Sequence, residues 1–315
     1  MSFLTSLINA MPGALAQGLI WGIMAIGVYI TYKVLDVADL TVDGTLCTGG
    51  AVCVILLING APIWLALLLA FISGIIAGFV TGFLHTTCGI PAILAGILTQ
   101  LALYSLNLHI MGYGTTNGSK ANLPISVDKY NLLVSARYVR SASLTNPLII
   151  LVIALAIIIF LTYNFFGTEL GASLRATGAN GKMARAQGIN TNFNKVLGLM
   201  LSNGLVALSG ALLAQYQGFS DINMGRGAIV IGLAAVIIGE VIFGKIFRNF
   251  ALKLVSCVIG ALIYYIVIQF VLKLGLPTDD LKLLTAVVVA LFLSLPYLKA
   301  KYAEKHVKKE DKHNA

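Results

Sequence analysis

The sequence predicts an all-α fold, a polytopic transmembrane bundle of about eight to ten membrane segments, and three observations predict it. Hydrophobic residues make up 58% of the 315 residues and charged residues only 10%, where soluble domains carry roughly 25% charged residues. Mean hydropathy is +0.93. Several apolar runs reach the ~20 residues needed to cross ~30 Å of hydrocarbon at ~1.5 Å per residue. These features exclude a soluble enzyme or a soluble binding module. The net charge of +9 does not point to nucleic acid, because the basic residues sit in loops and at the C-terminus, where a positive-inside bias accounts for them.

The N-terminal stretch MSFLTSLINAMPG has neither a basic leader region nor a cleavage site, so no signal peptide is expected to be removed. Nine apolar runs follow, at 13–32, 46–58, 63–84, 90–111, 148–165, 196–214, 228–243, 252–272 and 283–298. The second and the seventh are short for a full crossing. Gly60-Ala61-Pro62 and Gly89-Ile90-Pro91 read as turns between runs. Glycines at Gly18-x3-Gly22 and Gly74-x3-Gly78-x3-Gly82 have the spacing that lets two helix backbones approach closely. Cys47, Cys53, Cys88 and Cys257 lie in or at the ends of apolar runs, with no CxxC pair and no histidine at ligand spacing. Buried, inert thiols are expected, and no metal or other cofactor.

The charges set the orientation. The polar loop between the fifth and sixth runs is basic, and so is the tail, with six lysines against three acids between Lys299 and Lys312. Both are expected in the cytosol, Lys245 and Arg248 with them, and the segment 112–146 and the N-terminus outside. The chain then divides into one transmembrane domain, 1–298, and a basic cytosolic tail, 299–315. The outer segment strains this topology, because it carries Lys120, Lys129, Arg137 and Arg140 against Asp128. Leu132, Leu133, Ala136 and Val139 recur there at helical spacing, which predicts a short amphipathic helix on the outer surface. Its cations have two readings: contacts with lipid head groups, or a surface that steers an acidic partner.

A weak internal repeat is visible. Asp39-Leu-Thr-Val-Asp43-Gly44 follows the first run and precedes the short second one, and Asp221-Ile-Asn-Met-Gly225-Arg226-Gly227 stands in the same place before the short seventh. An odd number of runs lies between them, so the copies are expected to face opposite sides of the membrane, as in transport paths built on inverted repeats. Asp39 and Asp221 either cap the short helices or line a substrate path, for which Asp43 and Arg226 of the same motifs are also candidates. Glu240 and Lys253 read as flanks at the inner interface.

The long polar interruption at 166–195 also reads as helical, with Leu170, Leu174 and Thr177, then Met183, Ala186 and Gln187 at three- and four-residue spacings. Gly178, Asn180 and Gly181 break it into two short helices joined by a turn. Ala176-Thr-Gly-Ala-Asn-Gly181-Lys182-Met183 comes near a phosphate-binding loop but lacks its first glycine and its magnesium-ligating hydroxyl. With no set of catalytic side chains elsewhere, the chain is not expected to be an enzyme, and any ATP must be bound by another chain. Gly171, Leu174-Arg175-Ala176, Gly178, Asn180, Ala184, Ala186 and Gly188-Ile189 together resemble the cytosolic loop of ABC-importer permeases. The resemblance is to the branched-chain amino acid/ribose permease family, and within it to permeases paired with tryptophan/tyrosine-type binding lipoproteins. It runs from about residue 14 to residue 298.

That resemblance implies a coupling loop seated on a separate ATPase subunit through Glu169, Gly171, Leu174, Arg175, Ala176, Gly178, Met183, Ala184 and Gly188. It also implies a second copy of the permease and an extracytoplasmic binding lipoprotein, docked through Lys129, Arg137 and Arg140. The bacterial plasma membrane is the expected location. The substrate it implies is an amino acid, with an aromatic one as the narrower expectation and a small sugar as the runner-up. An ion-coupled secondary transporter and a membrane-embedded enzyme are the competing classes. The first leaves the helical loop without a role, and the second lacks a constellation of polar residues.

Overall fold

The computed structural model describes residues 3–273 apart from 115–117, 128, 131, 140–145, 245 and 248, together with 280, 283, 285–287, 289–291 and 294. Arg140, Lys245, Arg248, the tail and most of the last apolar run lie outside the described residues. Ten α-helices are described: α1 Phe3–Tyr29, α2 Val42–Ile58, α3 Ile63–Thr86, α4 Ala92–Met111, α5 Pro147–Gly167, α6 Glu169–Ala179, α7 Gly181–Ala186, α8 Thr191–Gln217, α9 Ala228–Phe243 and α10 Phe250–Lys273. A π-helical turn, Ile30–Val34, ends α1, and a 3-10 turn at Ala136–Tyr138 and two three-residue strands, β1 Asn122–Pro124 and β2 Phe219–Asp221, are also described. Among the described residues six helices are long and apolar enough to span a membrane: α1 with its π turn, α3, α4, α5, α8 and α10. The helices α2 and α9 are apolar but shorter.

The bundle is built around α8, which is largely buried along its length. Its hydroxyls form a ladder on α1: Ser202 Oγ donates to the Gly27 carbonyl (2.7 Å), Ser209 Oγ to that of Ile20 (2.8 Å) and Tyr216 OH to that of Gly13 (3.4 Å). Donors and acceptors both step by seven residues, so α1 and α8 run antiparallel in a regular seam, where hydrogen bonds between helices supplement packing. The glycine spacings of the sequence do the rest. A Cβ at Gly74, Gly78 or Gly82 would collide with α8 at Asn203, Leu199 or Val196, one at Gly18 would collide with α10 at Leu262, and one at Gly22 would press tightly on Val258.

The two short helices run in opposite directions from neighbouring starts. Thr45 Oγ1 donates to Asn203 Oδ1 and Gln215 Nε2 to Cys53 Sγ, so α2 runs with α8, away from α6. Gly232 packs on Met24 and Val28, and Glu240 pairs with Lys33 at 2.7 Å, so α9 runs with α1, towards α6. At the end of the bundle opposite α6, β1 pairs antiparallel with β2, Asn122 against Asp221 and Pro124 against Phe219.

The outer segment corrects an expectation. Instead of an amphipathic α-helix, the described residues from 132 to 139 form one 3-10 turn, Ala136–Tyr138. The Leu133 N–H is taken by Gln215 Oε1 (3.1 Å), Ser135 is extended, and Val134 and Val139 are buried in the bundle. Tertiary hydrogen bonds and burial thus override a local spacing. One thiol also departs from expectation: Cys88 is exposed, while Cys47, Cys53 and Cys257 are buried.

Candidate functional site

Two places gather the polar residues of the sequence: the junction where α2 and α9 begin, and the loop formed by α6 and α7. At the junction Asp39 is 2% exposed. Its Oδ1 accepts from the Thr41 N–H (2.9 Å) and its Oδ2 from Asn203 Nδ2 (2.7 Å). Both neighbours are donors, an arrangement that matches an ionised carboxyl, which only accepts. Asn203 in turn accepts from Thr45 Oγ1 (2.8 Å) and donates to the Leu199 carbonyl (3.0 Å). Thr41, Thr81 and Thr99 extend the network across α3 and α4, at 2.7 and 2.9 Å. With both oxygens engaged and the residue buried, Asp39 holds the start of α2.

Asp43 does something the sequence did not indicate. Its Oδ2 accepts from the Gly227 N–H and its Oδ1 from that of Ile229, both at 2.9 Å. The carboxylate of α2 therefore caps the N-terminus of α9, where unpaired N–H groups and partial positive charge favour an anion. Gly225 allows it, because a Cβ there would collide with the Asp43 carbonyl. The partners are 184 and 186 residues apart, which no local pattern reveals. Asp221 starts no helix. It accepts from the Asn223 N–H (2.7 Å) and from Asn122 Nδ2 (3.2 Å), fastening β2 to β1. Arg226 is exposed beside the junction.

The loop is two short helices broken at Asn180, as the glycines predict. Thr168 caps α6, Asn180 caps α7 and Asn190 caps α8 through side-chain oxygens. One face of α6 is fixed to the bundle. Leu174 is fully buried, and side chains of Leu174 and Leu35 occupy the space a Cβ on Gly198 would need. Gly171 lies on the Phe166 backbone and Gly178 on the Val34 carbonyl. Asn194 Nδ2 donates to Thr177 Oγ1 (2.9 Å) from α8. Ala184 is the buried residue of α7, and Gly188 takes a left-handed turn (φ 80°) towards α8. The opposite face points away from the bundle: Glu169, Met183 (63% exposed) and Leu170 (49%), with Ala176 half-buried, while Arg175, also exposed, lies at the edge of the loop over the Phe250 ring. Of the loop residues singled out by sequence, Gly171, Leu174, Gly178 and Ala184 thus attach the loop, which leaves Glu169, Arg175 and Met183 to meet anything outside.

The family model described as "Branched-chain amino acid transport system / permease component" matches residues 11–297. The chain belongs to this family. It is an ABC-importer permease subunit, a multi-pass protein of the bacterial plasma membrane, as its sequence leads one to expect. The permease is similar to the tyrosine transport system permease protein of Clostridioides difficile (strain R20291), 39% identical over 280 residues, 89% of each chain. It is also similar to the uncharacterized protein RP368 of Rickettsia prowazekii (strain Madrid E), 38% identical over 293 residues, 92% of this chain and 98% of that one. Among solved structures it resembles PsaBC from Streptococcus pneumoniae in complex with Fab, at 19% identity and a TM-score of 0.41 over 85% of this chain and 95% of that one. That likeness is too loose to carry an argument.

At the end opposite the loop, Lys129 and Arg137 are both exposed, and Lys129 Nζ lies 5.5 Å from the Tyr130 ring centroid. They lie on the segment that β1 ties to β2 and so to the start of α9.

Proposed function

We propose that the permease forms, with a second copy of itself, the membrane path of a binding-protein-dependent importer for an aromatic amino acid, with tyrosine the first substrate to test. The observation that carries the coupling part of this reading is the two-faced loop. Its inner face is locked to the π turn after α1 and to α8, while Glu169 and Met183 project outward and Arg175 stands exposed at the edge, over Phe250. A subunit that seats on the outer face and moves would move α6, and with it the ends of both helices of the central seam. The ATPase is that subunit, and the loop end faces the cytosol. The substrate class rests on the tyrosine permease relative.

The short helices supply the path. They begin side by side and run in opposite senses, the arrangement of an inverted repeat around a central transport site. Asp43 ties them, so the junction is held closed by a carboxylate on an N-terminus. The binding protein docks at the opposite end, on the segment that carries Lys129 and Arg137, and Arg140 belongs to that segment by sequence.

Reversing the charge at Arg175 tests the coupling. The R175E variant is expected to insert and to purify as the wild type does, yet to lose substrate-stimulated ATP turnover by about tenfold or more, the scale of a lost charged contact at an interface. Loss of membrane insertion instead would make the loop a topogenic signal and remove the coupling role.

A further inference from the structure

Three cavities adjoin one another at the α6 end, and their linings change in order. The first is an apolar crevice of about 240 Å³ lined by Ile30, Phe71, Ile158, Phe165, Phe166 and Leu208 among others. On α8 it reaches Leu208, ten residues from Gly198, which packs against Leu174 of α6. That is about 15 Å along the helix. Phe166 is shared with the second cavity, about 540 Å³, whose walls include the uncharged polar residues Tyr163, Asn164, Thr168 and Asn249. Arg175 and Phe250 are shared with the third, about 380 Å³, which adds Tyr29, Lys33 and Lys253.

The third cavity is cationic. Lys33 is paired with Glu240. Arg175 lies over the Phe250 ring with Cζ 6.0 Å from its centroid. Both Arg175 and Lys253 are exposed, and neither is salt-bridged among the described residues. Apolar crevice, neutral polar groove and cationic pocket thus follow one another beside the ends of spanning helices. We infer that this series is a binding site for an anionic phospholipid: an acyl chain in the crevice, the glycerol ester region beside Asn164 and Thr168, and the phosphate between Arg175 and Lys253. Basic pockets between spanning helices at the membrane surface recognise such head groups, and the acyl chain, already in an apolar medium, gains by van der Waals packing in the crevice. An acidic segment of a partner protein would match the cations but would leave the crevice unfilled. The site does not depend on the transport assignment. Its lipid would brace α6 against α10.

The test uses the delipidated full-length permease in detergent, with phosphatidylglycerol, phosphatidylcholine and inorganic phosphate as separate probes and bound lipid counted by native mass spectrometry. Phosphatidylglycerol is expected to bind more tightly than phosphatidylcholine. At roughly fivefold per cation, K253Q should weaken it about fivefold and R175Q/K253Q about 30-fold. K253R should retain it, and so should K273Q, whose charge stands at the far end of the same helix, about 30 Å away. K253Q changes one exposed side chain, so the test stands even if the double variant fails to fold. Equal binding of the two lipids, or wild-type binding by K253Q and R175Q/K253Q, overturns the site. Occupancy by inorganic phosphate with no lipid retained overturns the lipid as its ligand.

Discussion

Replacing Asp39 by asparagine changes one atom and tests the junction network. The wild-type carboxylate faces two donors, the Thr41 N–H at 2.9 Å and Asn203 Nδ2 at 2.7 Å, with 2% of the residue exposed. An amide has one acceptor oxygen, so its NH2 group must point at one of those donors. Asn203 can turn to receive it only by giving up its bond to the Leu199 carbonyl, even though Thr45 Oγ1 could then accept from it and donate to the Thr41 carbonyl. One hydrogen bond to a charged group is therefore lost and a buried donor is left unpaired, a cost of about 2–3 kcal/mol. At roughly 2–4 °C per kcal/mol for chains of a few hundred residues, D39N should melt about 4–10 °C below the wild type. Thermal unfolding in detergent, followed by the fluorescence of Trp21 and Trp64, reads this directly. D221N is the control: its two bonds are exposed, and it should shift the melt by no more than about 1–2 °C. If D39N melts with the wild type, the carboxylate is not held as described, and the anchoring of α2 falls with it.

Two further predictions follow from exposure and charge. A membrane-impermeant maleimide should label Cys88 and leave Cys47, Cys53 and Cys257 unlabelled in the folded protein, with Cys88 reached only from the cytosolic side. Labelling of Cys88 from outside would reverse the topology. K129Q/R137Q should slow capture of the loaded binding protein several-fold at low ionic strength, with the difference shrinking as salt approaches physiological levels. An unchanged association rate would assign these cations to lipid contacts instead.

Where the sequence alone reads the fold well, the signal is local. The run 228–243 coincides with α9, and the runs that are short for a crossing are the shorter apolar helices α2 and α9. The break at Asn180 is carried by the loop's own glycines and cap. The start of α8 lies five residues before its apolar run because Asn190 caps a polar first turn that hydropathy does not register. What is not legible is non-local. β1 and β2 have three residues each, too few for a period of two, and their partners are almost a hundred positions apart. The Asp43 clamp on α9 joins the two halves of the chain, and in sequence its carboxylate looks like any acidic residue in the first turn of a helix. Leu170 and Leu174 lie on one helical stripe, yet Leu170 is half exposed and Leu174 buried. The stripe locates the face but not its edge.

The central claim is transport powered by a separate ATPase, and uptake measures it most directly. The permease is co-expressed with an ATPase subunit and a binding protein in cells lacking other aromatic amino acid transporters, and accumulation of labelled tyrosine is followed. Saturable uptake is expected, vanishing when the ATPase is inactivated and persisting when the ion gradients are collapsed with ATP maintained. Uptake by the permease alone, driven by an ion gradient and indifferent to the ATPase, would contradict it.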